Sequence, residues 1–475
     1  MIPGIILILF GLLLNQWSLS PFLHLNSGEP GILRIALIWT FDLVCIARGL
    51  ILVTQKHRVP PSPKKIFFAG IMIVLMVLLM EFTLQIMTRI SPKFDDLITS
   101  KNTLHVLPDA TLGLRGNPEF PEHDSKGFRN KIALSHSEIV AIGDSQTYGT
   151  GVKRYQAWPQ QLSKLSGKPV YNMSLGGYGS VEGLILLKTE ALQLNPKYVI
   201  FMMYNGNDLI DAYDAVYNNH LYDTLKNTDS TTQAVITALQ QKDPLKPKIA
   251  KITSQLWSSK PISIKTETTP SQQTRNHWNC IKQMKLFRLF FSLERSVQVT
   301  FFNKKEYDWR RLTNPNQHDS GLFETFESNG FRTILTPSYR KLAMDIEDPR
   351  IQEGLRISLE AIGDMKQLAD SQGIQFLILL LPTKEKVFYE LSSQYGIEPS
   401  ESMQTTVKLD DDIRNRTMAY LQQHEISYIN TLPILETCFK QKQQPYFIDA
   451  DGHINPIGHA MIAKAVSEYI RERQH

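Results

Sequence analysis

From about residue 134 onward, short apolar runs alternate with segments of helical period. The runs at Glu138–Ile142, Val170–Met173, Tyr198–Met203, Gln375–Leu381 and Ser427–Asn430 predict strands. The periodic segments at Trp158–Ser166, Val181–Gln193, Gln352–Gln372, Asp411–Gln423 and Pro456–Arg473 predict helices. Uninterrupted apolar strands separated by helices imply an α/β fold with a central parallel sheet covered on both faces. In such a fold the loops at the carboxyl ends of the strands build the site. Residues 209–345 break the alternation: KTETTPSQQT (265–274) is polar, and MKLFRLFFSLERSVQVTFF (284–302) reads as an amphipathic helix. Its Phe and Leu face is expected to pack on the domain, with a lid or a membrane-facing surface as the alternative. The chain has no internal repeat.

The first ninety residues follow another pattern. Residues 66–88, IFFAGIMIVLMVLLMEFTLQIMT, are long enough to span a bilayer, and residues 32–53 form a second such run. A third, weaker run starts at Ile2 and extends toward Phe22. It reads as a retained helix rather than a signal-peptide core, because no Lys or Arg precedes it and no clear small-residue cleavage site follows. The linker KHRVPPSPKK (56–65) carries Lys56, Arg58, Lys64 and Lys65, whereas residues 15–31 carry no Lys or Arg. The positive-inside rule therefore places the linker in the cytoplasm and everything after about residue 91 outside it, in the periplasm or on the outer face. Within these spans Arg34 and Glu81 are expected to pair, while Asp42 has no evident partner apart from Arg48. The expected organisation is thus a membrane region of two to three helices (1–90), a lead-in linker (91–133), and a catalytic domain (134–475) interrupted at about 209–345.

Composition narrows the picture. The chain has 475 residues, 20% charged and 42% hydrophobic, which excludes a disordered chain and a wholly membrane-embedded transporter. The net charge of +5 is small for this length, and no basic stripe interleaves with aromatics, so no nucleic-acid partner is expected. Cys45, Cys280 and Cys438 form no CxxC pair and no zinc spacing. Cys280 and Cys438 are expected as buried thiols, a disulfide in an oxidising compartment being the alternative. Neither an HExxH motif nor a carboxylate-rich cluster is present, so no metal and no cofactor are expected.

Four polar constellations follow the apolar runs: Gly143-Asp144-Ser145; NMSLGGYG (172–179); YNGND (204–208); and IDADGHINPIGH (448–459). Each has an ordinary structural use, as a turn or a helix cap. Together they offer the parts of acyl transfer. A serine needs a base to become nucleophilic, and a histidine titrates in the right range. A carboxylate fixes the histidine tautomer, and backbone or amide donors stabilise a developing oxyanion. Ser145, Gly177, Asn207 and His453, with acids beside the histidine, make up that set.

The order GDS, Gly loop, GND and C-terminal Asp–His loop resembles the SGNH/GDSL hydrolases. The resemblance covers roughly residues 120–208 and 350–473, and DSKGFRN (124–130) and AWPQQL (157–162) look like membrane-linked members. It implies a three-layer α/β/α, flavodoxin-like domain. It implies Ser145 as nucleophile, His453 as base, and an oxyanion hole from the Ser145 N–H, the Gly177 N–H and the Asn207 side chain. Gly143, Asp144, Gly206 and Asp208 take supporting places in the same loops. The chain departs from the family at Ala450, three residues before His453, where the acid usually stands. Asp451 is the expected acid and Asp449 the fallback, and His459 is expected to be structural. No GxSxG elbow appears, which argues against an α/β-hydrolase.

The resulting expectation is a membrane-anchored, extracytoplasmic esterase or deacylase acting on an ester-bearing substrate, such as O-acyl groups of envelope glycans or lipids. The alternatives are an O-acyltransferase working with a membrane partner, and a non-catalytic glycan-binding scaffold.

Overall fold

A computed structural model describes residues 62–90, 104–245 and 322–473, with isolated positions at 42–44, 46–48, 50, 51, 248 and 309. The chain divides into two units, residues 1–102 with 258–308, and residues 103–257 with 309–475.

In the larger unit, strands β1 (Val106–Asp109) and β2 (Gly113–Gly116) form an antiparallel hairpin. The strands β3 (Ile139–Ile142), β4 (Val170–Asn172) and β5 (Tyr198–Tyr204) follow. A second antiparallel hairpin joins β6 (Glu324–Ser328) to β7 (Phe331–Leu335), and β8 (Gln375–Leu381) and β9 (Ser427–Asn430) complete the set. The central sheet is wholly parallel, in the order β4-β3-β5-β8-β9. This is the flavodoxin-like order, whose reversal point lies between β3 and β5.

Both faces of the sheet are apolar, as the continuous runs require. Val140, Ile142 and Phe201 pack with Leu184, Ile357 and Ile362 of helices Ser180–Thr189 and Pro349–Ser371. On the other face Ile139, Ala141 and Ile200 pack with Trp158, Leu162, Val387 and Ile462, from helices Trp158–Ser166, Lys384–Gln394 and Pro456–Glu472. Each such buried aliphatic side chain contributes about 1.5–3 kcal/mol of transfer free energy. The expected strands agree with those observed to within a residue at each end. Two long helices begin earlier than their apolar period: Pro349–Ser371 is capped by Asp348, and Glu401–Gln423 by Ser400. The hairpins and the helices Asp208–Tyr213, Ser230–Lys242, Pro337–Met344 and Leu432–Lys440 lie outside the predicted elements.

The lead-in is more than a spacer. Asp124 Oδ2 accepts from Tyr171 Oη (2.7 Å) and Asn130 Nδ2 (3.1 Å), and Oδ1 accepts from the N–H groups of Lys126 and Phe128. Asn130 also exchanges two 3.0 Å hydrogen bonds with the backbone of Asn172. His123 Nδ1 donates to the Asn117 carbonyl, which leaves Nε2 to accept from Tyr148 Oη at 2.9 Å.

In the smaller unit, Pro63–Ile90 is a 28-residue helix, about 42 Å long. Counting only residues whose side chains are described, no helix is long and apolar enough to cross a membrane. Over its whole sequence, the helix has no charged residue between Lys65 and Glu81. Phe67, Phe68, Leu75, Leu78, Leu79 and Phe82 are exposed, and buried Glu81 accepts from Gln85 Nε2 at 3.1 Å. The first apolar run, Arg34, Cys45, Cys280 and the segment 284–302 lie outside the described residues. Cys438 is a buried free thiol.

Asp124 joins a four-residue turn to a core tyrosine. Asp124→Ala should lower the unfolding free energy by about 2–4 kcal/mol by stranding Tyr171 and Asn130. Tyr171→Phe, which removes one partner, should cost about 1 kcal/mol. Urea denaturation of the two variants checks the order.

Candidate active site

The reversal point gathers the loops after β3, β4 and β5. Strand β3 ends at Gly143, and the buried Asp144 caps the short helix Ser145–Tyr148 by accepting from Gln146 N at 2.8 Å. This turn lifts Ser145 to the sheet rim. Arg129 secures the far end of the helix, donating to the carbonyls of Tyr148 (3.0 Å), Gly149 (2.5 Å) and Val152 (2.7 Å).

Ser145 Oγ lies 2.8 Å from His453 Nε2 and 3.3 Å from Asp144 Oδ2. On the other side of the imidazole, His453 Nδ1 hydrogen-bonds to Asp451 Oδ1, which also accepts the His453 backbone N–H at 3.1 Å. The structure thus brings Ser145, His453 and Asp451 into one line. The fallback acid, Asp449, accepts the Asp451 N–H through Oδ1 at 3.3 Å. Burial pushes the Asp451 carboxyl up. The opposing charge of His453, its two hydrogen bonds and the nearby Lys384 ammonium outweigh that, and hold it well below the usual carboxylate range. Asp144 moves the other way: burial raises it, offset only in part by Gln146 N–H, His453, Ser145 and Asn207.

The glycine turn after β4 lies against the serine. A Cβ on Gly176 would sit 3.6 Å from Ser145 Cβ. Gly177 has φ +86° and open space around its Cα, so its conformation suits glycine and its face is unobstructed. Asn207 Nδ2 donates to Asp211 Oδ2 at 2.5 Å and also bonds the Asp144 carboxylate. Asp208 Oδ2 accepts the Tyr204 N–H at 2.8 Å, and burial together with the Asp144 charge raises its pKa well above the usual range.

Three buried residues that sequence reasoning missed hold these loops. Gln146 binds the backbone of Gly452 and Ile454. Lys384 donates to the carbonyls of Asp449 (2.6 Å) and Asp451 (3.1 Å), and burial draws its pKa down to about 8 despite the Asp449, Glu385 and Asp451 carboxylates. Arg340, from the end of the insertion, donates to the Gly206 carbonyl at 3.2 Å. Its Nη2 lies 1.9 Å from where a Cβ on Gly452 would fall, so the guanidinium occupies the space that this glycine leaves open. The same segment grips the acid loop through Ile334 N to Ile448 O (3.2 Å) and Thr333 Oγ1 to Phe447 O (2.8 Å). The available signal was position: Lys384 and Gln146 both follow the carboxyl end of a sheet strand.

His459 is fully buried, and its Nδ1 accepts the Trp158 N–H at 3.2 Å, so this nitrogen carries no proton. Burial drives its pKa down to about 3, with the His453 and Arg129 charges adding. Among the described residues, no group of three or more His, Cys, Asp or Glu side chains is arranged to hold a metal ion.

Residues 141–279 match the GDSL-like Lipase/Acylhydrolase family. No curated protein matches the chain in sequence. Among solved structures, a GDSL-like lipase from Bacteroides thetaiotaomicron is 10% identical, covering 70% of this chain and 88% of its own, with a TM-score of 0.28. A catalytic mutant of an acetylxylan esterase from Geobacillus stearothermophilus is 8% identical, covering 71% and 94%, with a TM-score of 0.31. At these scores neither likeness carries a functional reading.

His459 has a folded pKa below its unfolded value. Its contribution is fully present above about pH 6.5 and is lost as pH falls, because the unfolded chain takes a proton that the folded chain refuses. The stability advantage of the native chain over His459→Gln should therefore shrink by about 2 kcal/mol between pH 7 and pH 5. Paired denaturation curves at the two pH values measure it.

Proposed function

We propose that this chain, which carries a GDSL-like lipase/acylhydrolase domain of the ester-bond hydrolase type, works through an acyl-enzyme on Ser145. The observation that carries the reading is His453, whose two ring nitrogens face Ser145 Oγ and Asp451 Oδ1 at once. In the first half-reaction Ser145 Oγ attacks the ester carbonyl carbon and His453 Nε2 takes the hydroxyl proton. Asp451, kept ionised, holds the Nδ1–H tautomer and stabilises the imidazolium. The Ser145 and Gly177 N–H groups receive the charge that develops on the carbonyl oxygen, and Asn207 Nδ2 joins them when the bound ester displaces one of its two carboxylate partners, Asp211 or Asp144. Collapse breaks the bond to the leaving alkoxide, which takes the proton from His453. Water then repeats the sequence on the acyl-enzyme and releases the acid.

The same reading places the domain outside the cytoplasm, anchored by the helix Pro63–Ile90. What supports this is the exposed apolar surface of that helix and the basic linker before it. The proposed substrates are O-acyl groups of glycans or lipids at that membrane face. The support for them is location rather than any contact in the site.

With the full chain in detergent and a small activated acetate ester, Ser145→Ala should lose at least about 10³-fold in kcat. Asp451→Asn should lose about 10²–10⁴-fold, and Asp449→Asn should stay within about threefold, since both ring nitrogens of His453 are already engaged by Asp451 and Ser145. A Ser145→Ala rate equal to the native one overturns the mechanism. Acetate appearing on an added glycan rather than in solution would make the enzyme a transferase.

For topology, a reporter that is active only outside the cytoplasm, fused after residue 95, should be active, and the full chain should stay in the membrane fraction after alkaline carbonate. An inactive fusion or a carbonate-soluble chain overturns the placement.

A further inference from the structure

The hydroxyl of Ser145 and the imidazole of His453 stand on different loops, and the side chain of Gln146 joins them. Gln146 is 1% exposed. Its Nε2 donates to the Gly452 carbonyl at 3.0 Å, and its Oε1 accepts the Ile454 N–H at 3.2 Å. These are the peptide groups on either side of His453. Its own N–H is taken by Asp144 Oδ1 at 2.8 Å, so the residue is fixed at both ends.

Resting on the serine-hydrolase reading, we propose that Gln146 is the positioning residue for the base, holding the backbone of His453 in register with the neighbouring Ser145. The chemistry is selective. The two peptide groups present one acceptor and one donor, and a side-chain amide answers both with a donor and an acceptor in one plane. An aliphatic chain of the same length leaves two buried peptide groups unpaired. A carboxylate offers no donor to the Gly452 oxygen, whereas a protonated carboxyl restores the pair. A loop freed in this way moves the imbalance to Nε2, where a displacement of about 1 Å costs on the order of 10²-fold in rate.

The test uses the full chain with Gln146→Met and Gln146→Glu. Gln146→Met should lower kcat by about 10–100-fold with KM within about threefold, and its reaction with a serine-directed phosphonate should slow in parallel. Gln146→Glu should lose activity as its carboxyl ionises, so the alkaline side of its kcat/KM profile should fall at lower pH than in the native chain and the peak should move down with it. A purely structural role would lower the yield of folded protein without moving the profile. A Gln146→Met variant with native kcat, or a Gln146→Glu profile that superimposes on the native one, overturns the proposal. If Gln146→Met does not fold, the Gln146→Glu profile decides, because it compares one protein with itself across pH. Ser145→Ala run alongside separates the two ideas: full activity there defeats the serine mechanism. Loss there with native kcat in Gln146→Met defeats this inference alone.

Discussion

A hydroxyl and an imidazole 308 residues apart in sequence meet at 2.8 Å, and much of the polar architecture of the domain keeps them there. The sheet solves half of the problem. Parallel strands in the observed order deliver the loops after β3, β4 and β5 to one rim, where the side chains of Asn172 and Asn207 bond back to the loop after β3, at the Thr147 carbonyl and the Asp144 carboxylate. The other half concerns a loop that no strand of the sheet presents. Residues 448–455 follow helix Leu432–Lys440 and an irregular stretch, so their position comes from side-chain anchors together with a few backbone bonds such as Ile334 N to Ile448 O. Gln146 and Lys384 bind its backbone directly, Thr333 holds the Phe447 carbonyl just before it, and Arg340 packs against Gly452 while donating to the Gly206 carbonyl. Backbone anchoring fixes the path of the loop while leaving Asp451 and His453 free to face each other.

Two of those anchors come from the segment that breaks the α/β alternation. The insertion ends in the β6-β7 hairpin and the helix Pro337–Met344, which carry Thr333 and Arg340. Arg340 touches the Gly206 carbonyl and packs on the rings of Tyr204 and Tyr339. It therefore spans the amide-bearing loop after β5 and the acid–base loop. Burying a guanidinium is costly unless its donors are used. Here one donor reaches a carbonyl, two aromatic faces lie against the guanidinium, and the Glu385 carboxylate, 3.7 Å from Nε, supplies an opposite charge without a hydrogen bond.

The sheet was legible because its strands are buried on both faces and so read as unbroken apolar runs. The hairpins were not: β6, Glu324–Ser328, is polar apart from Phe326, and its partner β7 is held by contacts with a loop more than a hundred residues later. Ser145 and His453, which the structure brings together, could be singled out from order and chemistry alone. The choice between Asp451 and Asp449 could not, since both stand within four residues of His453 and only the folded path of the loop brings Asp451 to Nδ1. Buried Lys384 and Arg340 run against the usual exposure of their residue types, so composition points away from them. The expected pairing of Arg34 with Glu81 falls outside the described residues.

The separation of Ser145 from His453 also has a consequence in time. Contacts that close long stretches of chain form late, because loop entropy must be overcome before they stabilise anything. The β3-β4-β5 core with its serine is synthesised well before the loop that carries the base. A growing chain therefore holds a nucleophile without its partner until residue 453 has been made and Gln146 has captured it. On the mechanism proposed, the hydroxyl stays unactivated for that whole interval. Activity then begins only when the acid–base loop has closed onto the finished sheet.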